Sequence, residues 1–221
     1  MQYNGGSEMS LSVALTKGRL ESGTVAMLEQ CGYGTEKLKN KGRALVFPDT
    51  KKDIRYFLVK ANDCITYVEH GVADIGVVGK DTLMEGGKDY YEMLDLKIGK
   101  CRFIVAGLAG NNPLEKSGHI RIGSKYPNVA LEYFHSRGKD IEVIKIDGSV
   151  ELAPVLGLTD GIVDIMETGA TLKENGLVVY DTAYELSARV IVNKAAFKMK
   201  RDEVMAFIRD LEGVVNNAEE N

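Results

Sequence analysis

Segments with the apolar spacing of strands alternate with segments of helical spacing along most of this chain. Residues 11–15 have the alternation of a strand, and the next segment has one apolar helical face, formed by Leu20, Thr24, Leu28 and Cys31. A parallel strand pair needs a crossover connection of helical length. The order of the segments therefore predicts an α/β fold with mostly parallel sheets.

The same periodicities predict the other elements. Further strands are expected at residues 43–47, 54–59, 74–78, 102–108, 121–124, 141–146 and 186–192. Helices are expected after Asn62 as N-cap, over residues 127–137, and over residues 200–217, where one face is apolar. Gly32 and Gly138 are expected to end the first helix and the helix at 127–137.

Two segments of the sequence resemble each other. GVADIGVVG at 71–79 and GIVDIMETG at 161–169 share Gly, Asp, Ile and Gly at the same offsets, and each closes a strand–helix cycle. Such a match also arises by chance where an apolar strand lies between glycines. As a true repeat it predicts two similar lobes with a cleft between them: residues 1–98 with 190–221, and residues 99–189.

Composition and charge exclude several classes of protein. Hydrophobic residues make up 44% and charged residues 27%, which is ordinary globular usage and predicts a sizeable core. The net charge is -4, from 28 basic and 32 acidic residues, which argues against a general binder of nucleic acid or membrane surfaces. An anionic ligand would therefore be held by a few placed cations and backbone amides.

Cysteine usage and the first residues indicate a cytoplasmic protein. Cys31, Cys64 and Cys101 are scattered with no CxxC pair, and the histidines are isolated, which favours neither disulfides nor zinc. Residues 1–10 lack the basic-then-apolar order of a signal peptide and are interpreted as a frayed leader. No apolar run approaches the roughly 20 residues that span a bilayer.

The segment at 161–176, GIVDIMETGATLKENG, carries the strongest chemical signal. A buried strand is expected to end near Met166, a turn to follow, and a short helix to begin at Leu172. Such a turn points backbone N–H groups and two hydroxyls at one place, and Gly169 allows close backbone approach. This arrangement predicts a phosphate site, with Asp164 and Glu167 beside it for ribose hydroxyls or water-bound magnesium. A capped turn without a ligand is the alternative.

The residues around this loop resemble a known family. ELAPVLGLTDGIVDIMETGATL, from residue 151, is similar to the signature of ATP phosphoribosyltransferases. Other blocks resemble the family in family order: ALTKGRL (14–20), TYVEHGVADIGVVGKDTL (66–83), LDLKIGKCRF (94–103), SKYPNVALEYF (124–134), VIKIDGSVELAP (143–154) and ARVIVNKAAFK (188–198). Departures are Thr159 for a smaller residue, Lys60 for arginine, Cys64-Ile65 for valine-proline and Ser124 for threonine.

The resemblance implies a glycosyl transfer. The phosphoribosyl group of phosphoribosyl pyrophosphate would pass to N1 of the adenine of ATP, giving phosphoribosyl-ATP and pyrophosphate in the first step of histidine biosynthesis. Magnesium would be carried by the substrates, with no ligand directly from the protein. The implied binding residues for phosphoribosyl pyrophosphate are Asp164, Ile165, Met166, Glu167, Thr168, Gly169, Ala170 and Thr171.

The resemblance also implies roles outside this loop. Arg19 and Arg43 would be catalytic, acting near the leaving pyrophosphate. The implied ATP-binding residues are Lys17, Arg19, Asp81, Ser149 and Glu151. Each of these residues also has a purely structural interpretation. The two arginines could be solvated surface charges, Asp81 could be a helix cap, and Glu151 could be an acid that favours a helix N-terminus.

The length of the matching region resembles the short form of the family, without a C-terminal regulatory domain. This form implies a histidyl-tRNA-synthetase-like regulatory subunit in a hetero-octamer, a homodimer of the catalytic chain, and a type II periplasmic-binding-protein-like architecture. Two other classes of protein share some of these features. A type I phosphoribosyltransferase usually has two adjacent acids before its loop, whereas Asp164 stands between Val163 and Ile165. A solute-binding protein shares the two-lobed architecture but would carry a secretory segment.

Overall fold

A computed structural model describes residues 11–87 and 89–219, apart from the side chain of residue 219. The predicted leader at 1–10 lies outside the described residues. The chain forms two compact units, which divide after Gly99 and after Leu186. Unit 1 contains the described residues up to Gly99 and from Ser187 onwards, and unit 2 contains Lys100–Leu186. The sequence placed these divisions after residues 98 and 189, so the second one comes earlier in the chain than predicted.

Strands and helices alternate through both units. The strands are β1 (Leu11–Thr16), β2 (Val46–Pro48), β3 (Ile54–Val59), β4 (Ile75–Gly79), β5 (Tyr90–Asp95), β6 (Cys101–Leu108), β7 (Arg121–Ser124), β8 (Glu142–Lys145), β9 (Gly161–Met166), β10 (Leu177–Leu186) and β11 (Ala188–Asn193). The helices are α1 (Arg19–Gln30), α2 (Glu36–Lys39), α3 (Ala61–Glu69), α4 (Lys80–Glu85), α5 (Pro127–His135), α6 (Leu152–Val155), α7 (Ala170–Glu174), α8 (Lys194–Met199) and α9 (Arg201–Glu219).

Each unit is built on one mixed sheet. The strand order is β2-β3-β1-β4-β11-β5 in unit 1 and β10-β6-β9-β7-β8 in unit 2. Parallel pairing is confined to a three-strand core, β3-β1-β4 in one sheet and β9-β7-β8 in the other. The remaining neighbours pair antiparallel. The α/β prediction is confirmed, but "mostly parallel" is corrected: β2 joins β3 through a connection too short for a parallel crossover.

The core of unit 1 explains its layers. β1 is buried on both faces, so its side chains alternate between two apolar clusters. Leu15 packs with Leu28 of α1 and Phe207 of α9 on one face, and Ala14 packs with the α3 side chains on the other. Complete burial of one such large apolar side chain stabilises the fold by about 1.5–3 kcal/mol.

Several predicted element boundaries change in the structure. The strand expected at 43–47 begins only at Val46, and residues 41–45 form a turn. Asn62 is not the N-cap of α3, because that helix begins at Ala61 and Lys60 occupies the cap position without a side-chain hydrogen bond. The helix expected from Leu172 begins at Ala170. Strands β5 and β10 were not predicted from the sequence.

The two units repeat one another, but in a different register from the predicted one. Gly71–Asp74 corresponds to Gly157–Asp160: both glycines have positive φ, 69° and 74°, and both segments follow a helix and lead into a strand. Their hydrogen bonds also correspond. The N–H groups of Val72 and Ala73 both donate to the Tyr67 carbonyl, as those of Leu158 and Thr159 donate to the Ala153 carbonyl. The repeat is therefore real, and the match of 71–79 with 161–169 is shifted by four residues.

Two further predictions concern the whole chain. Cys31, Cys64 and Cys101 are free thiols, so the cysteines form no disulfide with one another. In the part of the chain that the structure describes, no helix combines the length and apolar character needed to cross a membrane.

Candidate active site

A cavity of about 230 Å³ lies in unit 2 at the carboxyl end of β9. Its lining residues come from β9, the following turn, α7 and two neighbouring segments: Ile104, Glu151, Asp164, Ile165, Met166, Glu167, Thr168, Gly169, Ala170, Thr171 and Leu172. The structure thus brings together all eight residues of the predicted phosphoribosyl pyrophosphate site and adds Glu151 from the predicted ATP site.

The turn between β9 and α7 has the conformation that an anion site needs. Gly169 has φ 81° in the left-handed region, and a Cβ at this position would lie 2.9 Å from Sδ of Met166. Only glycine fits there without strain. Within the described residues, the N–H groups of Thr168, Gly169 and Ala170 form no backbone hydrogen bond. These N–H groups are available to the oxygens of a ligand.

Asp164 is the most perturbed acid in this cavity. The pKa of its carboxyl is raised to about 6, mainly by burial and to a smaller extent by the nearby charge of Glu151. The N–H of Ile165, which donates to Asp164 Oδ1 at 2.8 Å, and the charge of Lys125 act in the opposite direction. A half-buried carboxylate with spare lone pairs is suited to accept hydrogen bonds from sugar hydroxyls.

Glu151 stands at the N-cap position of α6, where it makes no side-chain cap hydrogen bond. Its predicted alternative, that of an acid favouring a helix N-terminus, is weakened because α6 is only a four-residue turn. Ser149, two residues earlier, is exposed and lies outside the cavity lining. Its carbonyl accepts a hydrogen bond from the N–H of Leu152 at 3.3 Å. The role of Ser149 in ATP binding stays a prediction.

Three predicted residues of unit 1 lie at one edge of its sheet. Lys17 and Arg19 follow β1, and Asp81 follows β4, which pairs parallel with β1. Lys17 and Arg19 are exposed, and Nη1 of Arg19 donates to the Gly99 carbonyl at 2.7 Å. Gly79, rather than Asp81, occupies the N-cap position of α4, so the alternative of Asp81 as helix cap is wrong.

Arg43 reaches the same edge from another element. It is exposed in the turn before β2, and β2 runs antiparallel to β3 with Val46 opposite Phe57. Arg43 therefore lies towards the carboxyl end of β3. Predicted site residues therefore follow β1 and β4 and lie towards the carboxyl end of β3, as expected for an α/β ligand site. Their participation in one site with the cavity of unit 2 stays a prediction.

Sequence reasoning missed two residues of the cavity wall, Ile104 on β6 and Leu172 on α7. Ile104 faces Asp164 across the β6–β9 pair. Nothing local in the sequence indicates this contact, because it depends on the antiparallel register of two distant strands.

Among the residues that the structure describes, no group of three or more His, Cys, Asp and Glu side chains is arranged to hold a metal ion.

The fold places this chain in a class of proteins that are built from two α/β units. The periplasmic aliphatic sulphonate-binding protein of Escherichia coli shares the fold at 10% identity and TM-score 0.63, covering 97% of this chain and 75% of its own. That likeness shows the architecture alone.

Sequence comparison gives the family within this class. The ATP phosphoribosyltransferase family model matches residues 60–213. An ATP phosphoribosyltransferase of Bacillus cereus is 57% identical over 92% of this chain and 96% of its own length. The ATP phosphoribosyl transferase (HisG:HisZ) complex from Thermotoga maritima contains a chain 36% identical, covering 94% of this chain and 99% of its own, with TM-score 0.77. The chain belongs to the ATP phosphoribosyltransferase family.

Proposed function

We propose that this chain transfers the 5-phosphoribosyl group of phosphoribosyl pyrophosphate to N1 of the adenine of ATP, releasing pyrophosphate in the first step of histidine biosynthesis. The observation that carries the proposal is the cavity at the end of β9. In a member of this family, it combines a half-buried acid with a turn that carries hydroxyls and three N–H groups, those of Thr168, Gly169 and Ala170, without a backbone hydrogen bond in the described residues. The turn is suited to the 5-phosphate, and Asp164 to the ribose hydroxyls.

The chemistry requires positioning and charge stabilisation more than acid–base catalysis. Adenine N1 attacks the anomeric carbon, the bond to pyrophosphate breaks, and the carbon inverts. Positive charge develops on the ribosyl centre while negative charge develops on the leaving group. Arg19 and Arg43 are proposed to stabilise the departing pyrophosphate. Lys17, Arg19, Asp81, Ser149 and Glu151 are proposed to hold ATP.

Magnesium fits this site as an ion that enters with the substrate. Its preferred ligands are oxygens, and it keeps several waters while binding one or two carboxylates and substrate phosphates. Asp164 and Glu167 supply carboxylates to the same cavity. We propose that the ion is carried by the phosphates of phosphoribosyl pyrophosphate, with no ligand directly from the protein, and that these two acids reach it only through water. Bound there, magnesium would neutralise charge on the leaving group.

We further propose that the chain acts in the cytoplasm as the catalytic subunit of a hetero-oligomer. The Thermotoga maritima relative is a HisG:HisZ complex, and this chain spans nearly all of the matching subunit. The partner would be a histidyl-tRNA-synthetase-like regulatory subunit, and feedback control by histidine would reside in that partner.

The test is formation of phosphoribosyl-ATP, followed by ultraviolet absorbance. Purified protein is mixed with ATP, phosphoribosyl pyrophosphate and magnesium, and pyrophosphatase draws the equilibrium towards product. Product with ATP, and none with hypoxanthine, guanine or orotate, is the expected result. No product with ATP, even after addition of the regulatory subunit, would overturn the proposal and favour a two-unit binding protein.

A further inference from the structure

Arg102 lies where β6 begins, beside the end of β9. Because the two strands pair antiparallel, the start of one lies next to the end of the other, and Arg102 is the register partner of Met166. Met166 is the last residue of β9, and the loop that lines the cavity follows it directly. Arg102 is therefore at the sheet edge from which the phosphate loop begins.

The alternation of side chains places Arg102 on the face of the sheet that bears the cavity. Ile104, two residues further along β6, lines the cavity and pairs with Asp164. Side chains at i and i+2 share one face of a strand, so Arg102 projects from the same face as Ile104. Across the antiparallel pair, Arg102 and Asp164 are diagonal neighbours, a separation that a long side chain spans easily.

The charge of Arg102 has no counter-ion in the described residues 11–87 and 89–219. Its side chain is half-buried, its Nε is fully buried without a hydrogen-bond partner, and no carboxylate lies within ion-pair distance. Glu185, its register partner on β10, makes no ion pair with it. A half-buried guanidinium without a counter-ion is destabilising unless a ligand supplies the opposite charge, so this position is suited to an anion.

Arg189 provides a comparison within the same molecule. It is the second residue of β11, which runs antiparallel to the end of β4 in unit 1, and Arg102 is likewise the second residue of β6 in unit 2. The Nε of Arg189 is also buried without a hydrogen-bond partner, but its guanidinium forms ion pairs with Asp95 and Glu92. The difference between the two arginines is therefore the counter-ion. The fold therefore neutralises the arginine at the end of β4 with its own acids and leaves the arginine at the end of β9 without one.

We propose that Arg102 binds the 5-phosphate of phosphoribosyl pyrophosphate, together with the loop at 167–171. The inference rests on the proposed function and adds a binding residue to it. The planar guanidinium matches two phosphate oxygens at once, which a lysine cannot do. The phosphate in turn supplies the acceptor that the buried Nε lacks.

The experiment compares Arg102→Met, Arg102→Lys and the wild type by calorimetric titration with ribose 5-phosphate and, separately, with inorganic pyrophosphate. Arg102→Met is expected to weaken ribose 5-phosphate binding by about tenfold or more, and Arg102→Lys by less, with pyrophosphate binding little changed. In steady-state assays the KM for phosphoribosyl pyrophosphate should rise and the KM for ATP should stay constant. A role in packing alone would not separate these two ligands or these two KM values.

Arg121→Met is the matched control. Arg121 is also half-buried on the sheet of unit 2, but it lies at the other end of β7 and is near Asp160 and the Gly157 carbonyl. Its loss should leave both ligand affinities unchanged. If Arg102→Met does not fold, as judged by circular dichroism, the ribose 5-phosphate affinity of Arg102→Lys is the deciding measurement. This variant keeps the positive charge but loses the planar guanidinium that binds two oxygens at once.

The outcomes separate the two proposals. Wild-type activity with unchanged ribose 5-phosphate binding in both Arg102 variants would overturn the role of Arg102 and leave the enzyme assignment intact. A selective loss of pyrophosphate binding would also overturn it. A wild-type chain that forms no phosphoribosyl-ATP, even with the regulatory subunit added, would overturn the proposed function and this inference with it.

Discussion

Asp74 in unit 1 and Asp160 in unit 2 make corresponding hydrogen bonds to a neighbouring parallel strand. Oδ2 of Asp74 accepts a hydrogen bond from the N–H of Ser12 at 2.7 Å, and Oδ2 of Asp160 accepts one from the N–H of Arg121 at 2.8 Å. In return, each aspartate N–H donates to the carbonyl of that same residue. A lysine completes each arrangement, Lys200 for Asp74 and Lys116 for Asp160. Each carboxylate ties the start of one parallel strand to its neighbour.

Removal of the buried member of this pair should destabilise the protein. Asp74 is 6% exposed, and Asp74→Ala leaves the Ser12 N–H without its acceptor and Lys200 without its counter-ion. We expect the free energy of unfolding to fall by about 3 kcal/mol, measured by urea denaturation with circular dichroism. Asp147→Ala is the control, because the Lys145–Asp147 pair is exposed; it should change stability by less than about 0.5 kcal/mol. Equal effects in the two variants would contradict the role of Asp74.

The same repeat makes a prediction about Thr159. Thr159 is 4% exposed, and its Oγ1 has no hydrogen-bond partner among the described residues, whereas the corresponding residue in unit 1 is Ala73. The fold at this position does not need a hydroxyl. Thr159→Val keeps the shape and removes the unsatisfied group, so the free energy of unfolding should rise by about 1 kcal/mol.

Thr16→Val tests the opposite case. Thr16 is also buried, but its Oγ1 donates to the Val77 carbonyl at 2.7 Å. Losing that bond should lower the free energy of unfolding by about 1 kcal/mol in the same urea experiment. If Thr159→Val destabilised the protein as Thr16→Val does, the Thr159 hydroxyl would have a partner, such as an ordered water.

The sequence correctly predicted strands whose own residues are mostly apolar and buried in the structure. β1 and β4 are buried throughout and mostly apolar, because the sheet core covers both of their faces. β5 and β10 were missed because they are edge strands with many exposed and polar positions. Their strand conformation depends on pairing with β11 and β6, which local periodicity does not report.

The candidate site divides in the same way. The loop at 167–171 is local, so its glycine, hydroxyls and neighbouring acids could be identified from adjacent letters. Arg102 and Ile104 join the cavity face only through the register of β6 with β9. The repeat was found, but in the wrong register. The residue types at 161–169 are similar to those at 71–79, but the hydrogen bonds show that Asp74 is structurally equivalent to Asp160.

The ionised carboxylate of Asp164 is predicted to lower the free energy of unfolding while it serves substrate binding. Burial raises the pKa of its carboxyl from 3.8 to about 6, so the folded state favours the protonated form. The contribution of this group to stability is therefore greatest below about pH 4 and is lost as pH rises through about 6. Asp164→Asn removes the buried charge. We expect the variant to match wild-type stability near pH 4 and to exceed it by about 2 kcal/mol at pH 7.5, measured by urea denaturation.

Activity should change in the opposite direction. Asp164→Asn should lower kcat/KM for phosphoribosyl pyrophosphate and remove the part of the acid limb, near pH 6, that this carboxyl contributes. Asp181→Asn is the control for sign, because hydrogen bonding from Tyr133 and the charge of Arg137 lower the pKa of the Asp181 carboxyl. That variant should be less stable than wild type at pH 7.5. Two variants with the same pH dependence of stability would contradict the assignment.

Arg43 is predicted to act on the leaving group rather than on ATP. Negative charge on pyrophosphate increases only as the bond to the ribose breaks, so a cation placed there lowers the barrier without tightening substrate binding. Arg43→Ala should therefore reduce kcat by about 100-fold while the Kd for ATP changes by less than about threefold. Arg55→Ala is the control: Arg55 is exposed and pairs in register with Pro48, at the other end of the β2–β3 pair. An unchanged kcat in Arg43→Ala would remove this residue from the leaving-group role. A parallel loss of kcat and ATP affinity would place it in the ATP site instead.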